Sequence, residues 1–153
     1  MQFVSVLALL IWRAWGLVCP RWRRALAEIK DDRFGPFRGQ LLVGDFQNAL
    51  VTRVMLEKVE GEWQGAVWPF LKGFLSGVNR LTFGGDGNLY VGGCHRTWVA
   101  VAPHEAALER VSFNGKIPFA VKEVHARPDG FELTFTQPVN AATAADVDGY
   151  DVS

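Results

Sequence analysis

Residues 77–93 read G-V-N-R-L-T-F-G-G-D-G-N-L-Y-V-G-G, and no other stretch restricts the folding of this chain so tightly. Leu81 and Phe83 alternate with polar neighbours, the run from Gly84 to Gly87 supplies backbone that tolerates positive φ, and Leu89 and Val91 resume the alternation. The pattern predicts a β-hairpin. A lone hairpin has too little apolar area to be stable in water, so this one must lie beside further sheets. It reads as one blade of a larger β-assembly, which a chain of 153 residues is expected to leave incomplete.

The flanking sequence has the same character. Residues 34–39 (F-G-P-F-R-G) are a breaker cluster, 40–43 a short apolar strand closed by Gly44-Asp45, and 49–59 a longer strand. Along that longer strand Val51, Arg53, Met55 and Glu57 project to one side and Thr52, Val54, Leu56 and Lys58 to the other. Neither face is uniformly apolar, which predicts a bulge or sheets packed on both sides. Residues 60–62 turn the chain into a strand over 63–68, which Pro69-Phe70 is expected to end, with 71–76 as an irregular connection. Beyond Gly93, residues 107–113 form a strand, Asn114-Gly115 a turn, and 119–126 continue the β-pattern across a boundary near Ile117-Pro118. After a turn at 127–130, Phe131, Leu133 and Phe135 alternate with Glu132, Thr134 and Thr136, as in a half-buried antiparallel strand. About three strands fit after Pro118, whereas an immunoglobulin-type sandwich needs about seven. The expectation is a truncated sandwich.

The N-terminal residues differ. An apolar run over 3–12 meets Arg13, a second apolar stretch reaches Val18, and Arg21, Arg23 and Arg24 follow. A secretory signal would carry a positive residue before its apolar core and small residues at a cleavage site. A membrane span needs about 20 apolar residues, and Arg13 interrupts this one. A degenerate signal or anchor, an amphipathic helix and a misassigned start site stay open. Pro20 suits the first turn of a short helix running through Ala25, Leu26 and Ile29 to about Asp31. Zero net charge gives no field that would attract nucleic acid. Cys19 and Cys94 form no C-x-x-C or C-x-x-C-H pattern, and their pairing stays open.

Four separated segments, at 34–45, 53–65, 77–93 and 127–139, together resemble the large secreted planctomycete and verrucomicrobial proteins of the PVC-type haem-binding kind. In those, a β-propeller similar to glucose/sorbosone dehydrogenases is joined to further domains, commonly a C-x-x-C-H cytochrome domain. The resemblance covers about residue 33 to the end and implies a mainly β chain. Residues 33–117 would be about one to two blades of a partial β-propeller. Residues 118–153 would begin an immunoglobulin-like β-sandwich, and 1–32 would be an apolar, basic helical segment. The role implied is that of a non-catalytic module in a larger exported or membrane-attached protein, with scaffolding or ligand binding as its task and the remaining blades as partners. The alternative is the C-terminal part of a quinoprotein-type sugar dehydrogenase whose catalytic residues lie upstream. Haem or the quinone PQQ is implied for full-length relatives, and no cofactor for this chain. Attachment to a membrane would use residues 3–18.

Propellers bind ligands with loops at one end of the blades. His95, Arg96 and Trp98 follow the hairpin and offer a base, an anion fork and a stacking surface suited to a sugar or a quinone. A solvated loop with structural hydrogen bonds is the favoured reading. Asp45, Asn79 and Arg80 complete the candidates. Asp45 is expected to cap its turn rather than bind calcium, and Arg80 either begins an inward strand lining a channel or pairs with Asp45 or Asp86. His125 reads as a surface residue. No nucleophile elbow or phosphate loop is present in the sequence.

Overall fold

A computed structural model describes residues 25–94 and 100–146, so the apolar run over 3–18 and the residues after 146 lie outside it. The described residues are mainly β, in three antiparallel sheets. The first has the order β1-β2-β3-β4, with β1 at Leu26–Glu28, β2 at Leu41–Asp45, β3 at Leu50–Val59 and β4 at Glu62–Lys72. The second has the order β5-β6-β7, at Val78–Phe83, Leu89–Cys94 and Ala106–Val111. The third is the hairpin of β8, Val121–Arg127, and β9, Gly130–Phe135. Each strand pairs with its neighbour in sequence, the simplest antiparallel meander. No helix among the described residues is long and apolar enough to cross a membrane.

Two expectations on strand limits are corrected. The segment from Ala25 to Asp31 is not helical: Leu26, Ala27 and Glu28 pair with Val43, Leu42 and Leu41. Ile29 extends the pairing by donating to the Gln40 carbonyl at 3.0 Å and accepting from the Gly39 N–H at 2.8 Å. Leu, Ala and Glu favour helices in isolation, but a free edge on β2 and burial of Ile29 override that local preference. Pro69 does not end its strand either. The β3–β4 register shifts where Val51 faces Leu71 and Thr52 faces Pro69, leaving Phe70 as an extra residue. Because β4 is an edge strand, a bulge absorbs the missing proline N–H and the strand continues to Lys72. The extra residue thus lies in β4 and not in the 49–59 strand, where a bulge was one of the two expectations.

The turn between β3 and β4 follows from Glu60 and Gly61, whose φ angles of 51° and 92° match the strand twist. At Gly65 the strands approach so closely that a Cβ would run into the Met55 carbonyl oxygen. The hairpin over residues 77–93 forms as its alternation predicts, with Leu81, Leu89 and Val91 buried.

The first two sheets enclose the main core. Ile29, Phe34, Phe37, Leu42 and Val51 from one side meet Val78, Leu81, Leu89 and Val91 from the other, and the Phe34 and Phe83 rings meet edge to face at 5.1 Å. A smaller cluster joins Met55, Ala66 and Trp68 of the first sheet to Val124 of the third, with Val121 and Leu133 packed against it. A short helix α1, Ala141–Ala144, is capped by the Asn140 side chain, which accepts from the Ala142 N–H.

Candidate functional site

The residues singled out from sequence do not converge on one pocket in the described structure. Asp45 ends β2 and caps the following turn, accepting from the Asn48 N–H at 3.0 Å and from Asn48 Nδ2 at 2.7 Å. Asn79 donates from Nδ2 to the Cys94 carbonyl at 2.6 Å, tying β5 to the end of β6. Arg80 is exposed and its Nη1 donates to the Asn79 carbonyl at 2.7 Å. It neither faces inward nor forms an ion pair with Asp45 or Asp86 among the described residues. Leu81 takes the buried face of β5, so strand alternation turns Arg80 and Thr82 to solvent. Asp86 is held by Asn88 and the Tyr90 hydroxyl instead, and these hydrogen bonds, Asn88 foremost, lower its pKa. His95, Arg96 and Trp98 lie outside the described residues.

A groove of about 450 Å³ separates β1 from β5, with Leu26, Ile29, Arg33, Phe34 and Phe83 in its walls. Arg33 spans part of it. Its Nε and Nη2 donate to Asp31 Oδ2 at 3.0 and 2.7 Å, and its Nη1 donates to the Gly85 carbonyl at 2.9 Å. The guanidinium fastens the turn before β2 to the tip of the β5–β6 hairpin. Its hydrogen bonds also hold the Asp31 carboxyl below the ordinary carboxylate range.

The most highly organised polar cluster lies elsewhere, where β8 docks on β3. Arg53, Met55 and Glu57 occupy alternate positions of β3 and so share one face. Their side chains meet the backbone edge of β8 that β9 leaves unpaired. Arg53 Nη2 donates to the Val121 carbonyl at 2.6 Å and Nη1 to the Lys122 carbonyl at 3.2 Å. Met55 Sδ accepts from the Val124 N–H at 3.2 Å, and Glu57 Oε1 accepts from the Ala126 N–H at 2.9 Å. Three side chains thus replace a neighbouring strand, satisfying backbone groups that burial would otherwise leave unpaired.

Arg53 is only 2 % exposed, and no carboxylate pairs with it among the described residues. Its Nη1 also donates to Gln40 Oε1, while Gln40 Nε2 donates to the Lys122 carbonyl at 2.7 Å. The guanidinium carbon stands 4.0 Å from the Phe37 ring centroid and 4.3 Å from that of Trp68. Burial lowers its pKa to about 10, which leaves it charged at neutral pH. Carbonyl dipoles and ring faces do the work of a counter-ion.

Glu57 continues the cluster outward. Its Oε1 also accepts from Gln64 Nε2 at 2.9 Å, and its Oε2 lies 3.0 Å from His125 Nδ1. His125 Nε2 in turn lies 3.4 Å from Glu123 Oε2. His125 is therefore at the surface, as expected, but at the outer end of the docking seam, with its side chain 34 % exposed. With a carboxylate against each ring nitrogen, it can hold a proton between β3 and β8. No group of metal-ligating side chains is assembled among the described residues.

The clue to this seam was the mixed face of β3. Charged residues at alternate positions beside buried Val51 had to find partners, and the partners are backbone groups about 70 positions away, a distance no local pattern spans. Compared with protein-family models, with curated proteins and with solved structures, the chain finds no match in any of the three.

Proposed function

We propose that this chain is a non-catalytic β-module of a larger, exported or membrane-attached propeller protein, in which it serves as scaffold or ligand-binding surface. The observation that carries this reading is strand β7, which among the described residues pairs on one side alone and leaves Leu108 78 % exposed. An open strand edge with a bare apolar side chain is a surface waiting for another sheet, and natural proteins seldom leave one uncovered. The four-stranded antiparallel meander of β1 to β4 has the strand arrangement a propeller blade requires. Apart from Arg53 Nε and Trp68 Nε1, the polar atoms described at the seam are committed to internal bonds, which supports a structural role over a chemical one. Haem or a quinone would then belong to other domains of the larger protein.

The test takes the full chain in solution. Its mass is measured by light scattering, and sugar oxidation is assayed with a dye acceptor, PQQ and calcium. The expected result is self-association that Leu108→Lys relieves, with no turnover. A monodisperse monomer indifferent to Leu108→Lys would overturn the scaffold reading, and PQQ-dependent sugar oxidation would replace it with the dehydrogenase one.

A further inference from the structure

The β8–β9 hairpin is attached to the rest of the molecule by a seam with two dissimilar ends. At the inner end Arg53 and Gln40 bind carbonyls of β8, and Val124 packs on Met55, Ala66 and Trp68. At the outer end the link between β3 and β8 is a titratable one, His125 to Glu57 at 3.0 Å, with the ring partly open to water.

We propose that the hairpin is a pH-responsive clasp: protonated His125 grips Glu57 across the seam and closes β8 over the patch of Met55, Ala66 and Trp68, and loss of that proton loosens the grip.

The groups around the ring set the direction. Glu57 faces it from β3, and from β4 comes the neutral Gln64, which steadies Glu57. On β8 itself, Glu123 lies against Nε2 and is also bridged by Lys122 at 3.5 Å. From β9, Glu132 stands opposite His125 in register, but it is paired with Arg127. The surroundings of the ring are net acidic, and they favour the imidazolium.

Hydrogen bonding to Glu57 raises the pKa of His125, burial opposes this, and Glu123 adds to the rise. The grip is therefore fully present below the ordinary histidine value of about 6.5 and is lost as pH rises through the raised value of the docked state. For Glu57, burial acts to raise the pKa, but hydrogen bonds from Ala126, His125 and Gln64 outweigh it and the net shift is downward. That contribution is present above the ordinary carboxylate range and is lost only as pH falls through the lowered value. Docking is tightest at weakly acidic pH. Above it the hairpin opens more often without departing, because the bonds of Arg53 and the apolar patch do not titrate there.

The experiment is hydrogen–deuterium exchange of the full chain from about pH 5.5 to about pH 8.5. Protection over residues 121–127 is corrected for intrinsic exchange and divided by that of the β3 strand in the same molecule. The ratio is expected to fall with rising pH, by about tenfold for each unit by which the NMR midpoint of His125 exceeds that in the Glu57→Gln variant. Glu57→Gln keeps an acceptor for the Ala126 N–H, so the hairpin stays docked while the pH dependence flattens. His125→Gln, at a partly exposed position, flattens it as well. A ratio constant across the range, or one that falls equally in His125→Gln, would overturn the proposal.

Discussion

The two interfaces of this molecule are built from opposite materials. Between the first and second sheets, Leu42, Val51, Leu89 and Val91 form an apolar core, with the Arg33 bond to the Gly85 carbonyl at its margin. Between β3 and β8 a small apolar patch shares the seam with a buried guanidinium, a thioether, an imidazole and a carboxylate. A dry interface gains from area and is indifferent to pH, whereas a polar one gains from matched partners and loses heavily when one partner is removed. The contrast explains how a two-stranded hairpin, too small to be stable by itself, holds one defined position.

Breaking the polar seam is expected to give the largest effect. Arg53→Ala strips the donors from the Val121 and Lys122 carbonyls and opens space between Phe37 and Trp68. Denaturant unfolding should register a loss of about 3–5 kcal/mol, from two buried carbonyls left unpaired and the cavity beside them. Arg53→Met, which keeps the volume, should recover part of that loss if packing matters beside the hydrogen bonds, and none of it if the bonds alone hold the hairpin.

In the dry interface, Leu89→Ala should cost about 2–4 kcal/mol through the cavity it leaves, equally at weakly acidic and weakly alkaline pH. A pH-dependent loss there would erase the distinction between the two interfaces.

A smaller effect with a definite sign is expected for His125→Gln. Its stability deficit relative to the parent chain should be greatest below the ordinary histidine range and shrink as pH rises through the raised value of His125. Thermal melts across that range measure it. Asp45→Ala removes the turn cap remote from both interfaces, and about 1 kcal/mol is expected, with the exchange of residues 121–127 unchanged.

How far these features could be read in advance depended on how local their causes are. The hairpin over residues 77–93 was legible because its turn glycines and its alternation lie within the segment that folds. The strand of 49–59 was legible in extent, but its mixed face reflects the contacts of Arg53, Met55 and Glu57 with β8, and the bulge lies in the partner strand β4. Leu26–Glu28 was misread because its helix-favouring residues pair with β2, whose edge lies beyond the window of local preference. Pro69 was misread because only the sheet order shows that β4 is an edge. Arg80 is exposed rather than inward, and the surface position of His125 gave no sign of its Glu57 and Glu123 partners, since a charged side chain does not announce which partner it meets.

The amino-acid sequence by itself determined that this chain is mainly β, where most of its turns fall, and which strand faces are apolar. Those properties follow from backbone sterics and from the two-residue period of side chains along a strand. Only the tertiary structure decided that Arg53, Met55 and Glu57 serve as a surrogate strand for β8 and that His125 sits between two carboxylates. Their partners are backbone and side-chain groups distant in sequence, chosen when sheets pack and buried polar groups must be satisfied. The run over residues 77–93 required neighbours, and the fold supplies them as β7 beside β6 and the first sheet across the apolar core, while the titratable seam along β3 holds a different hairpin.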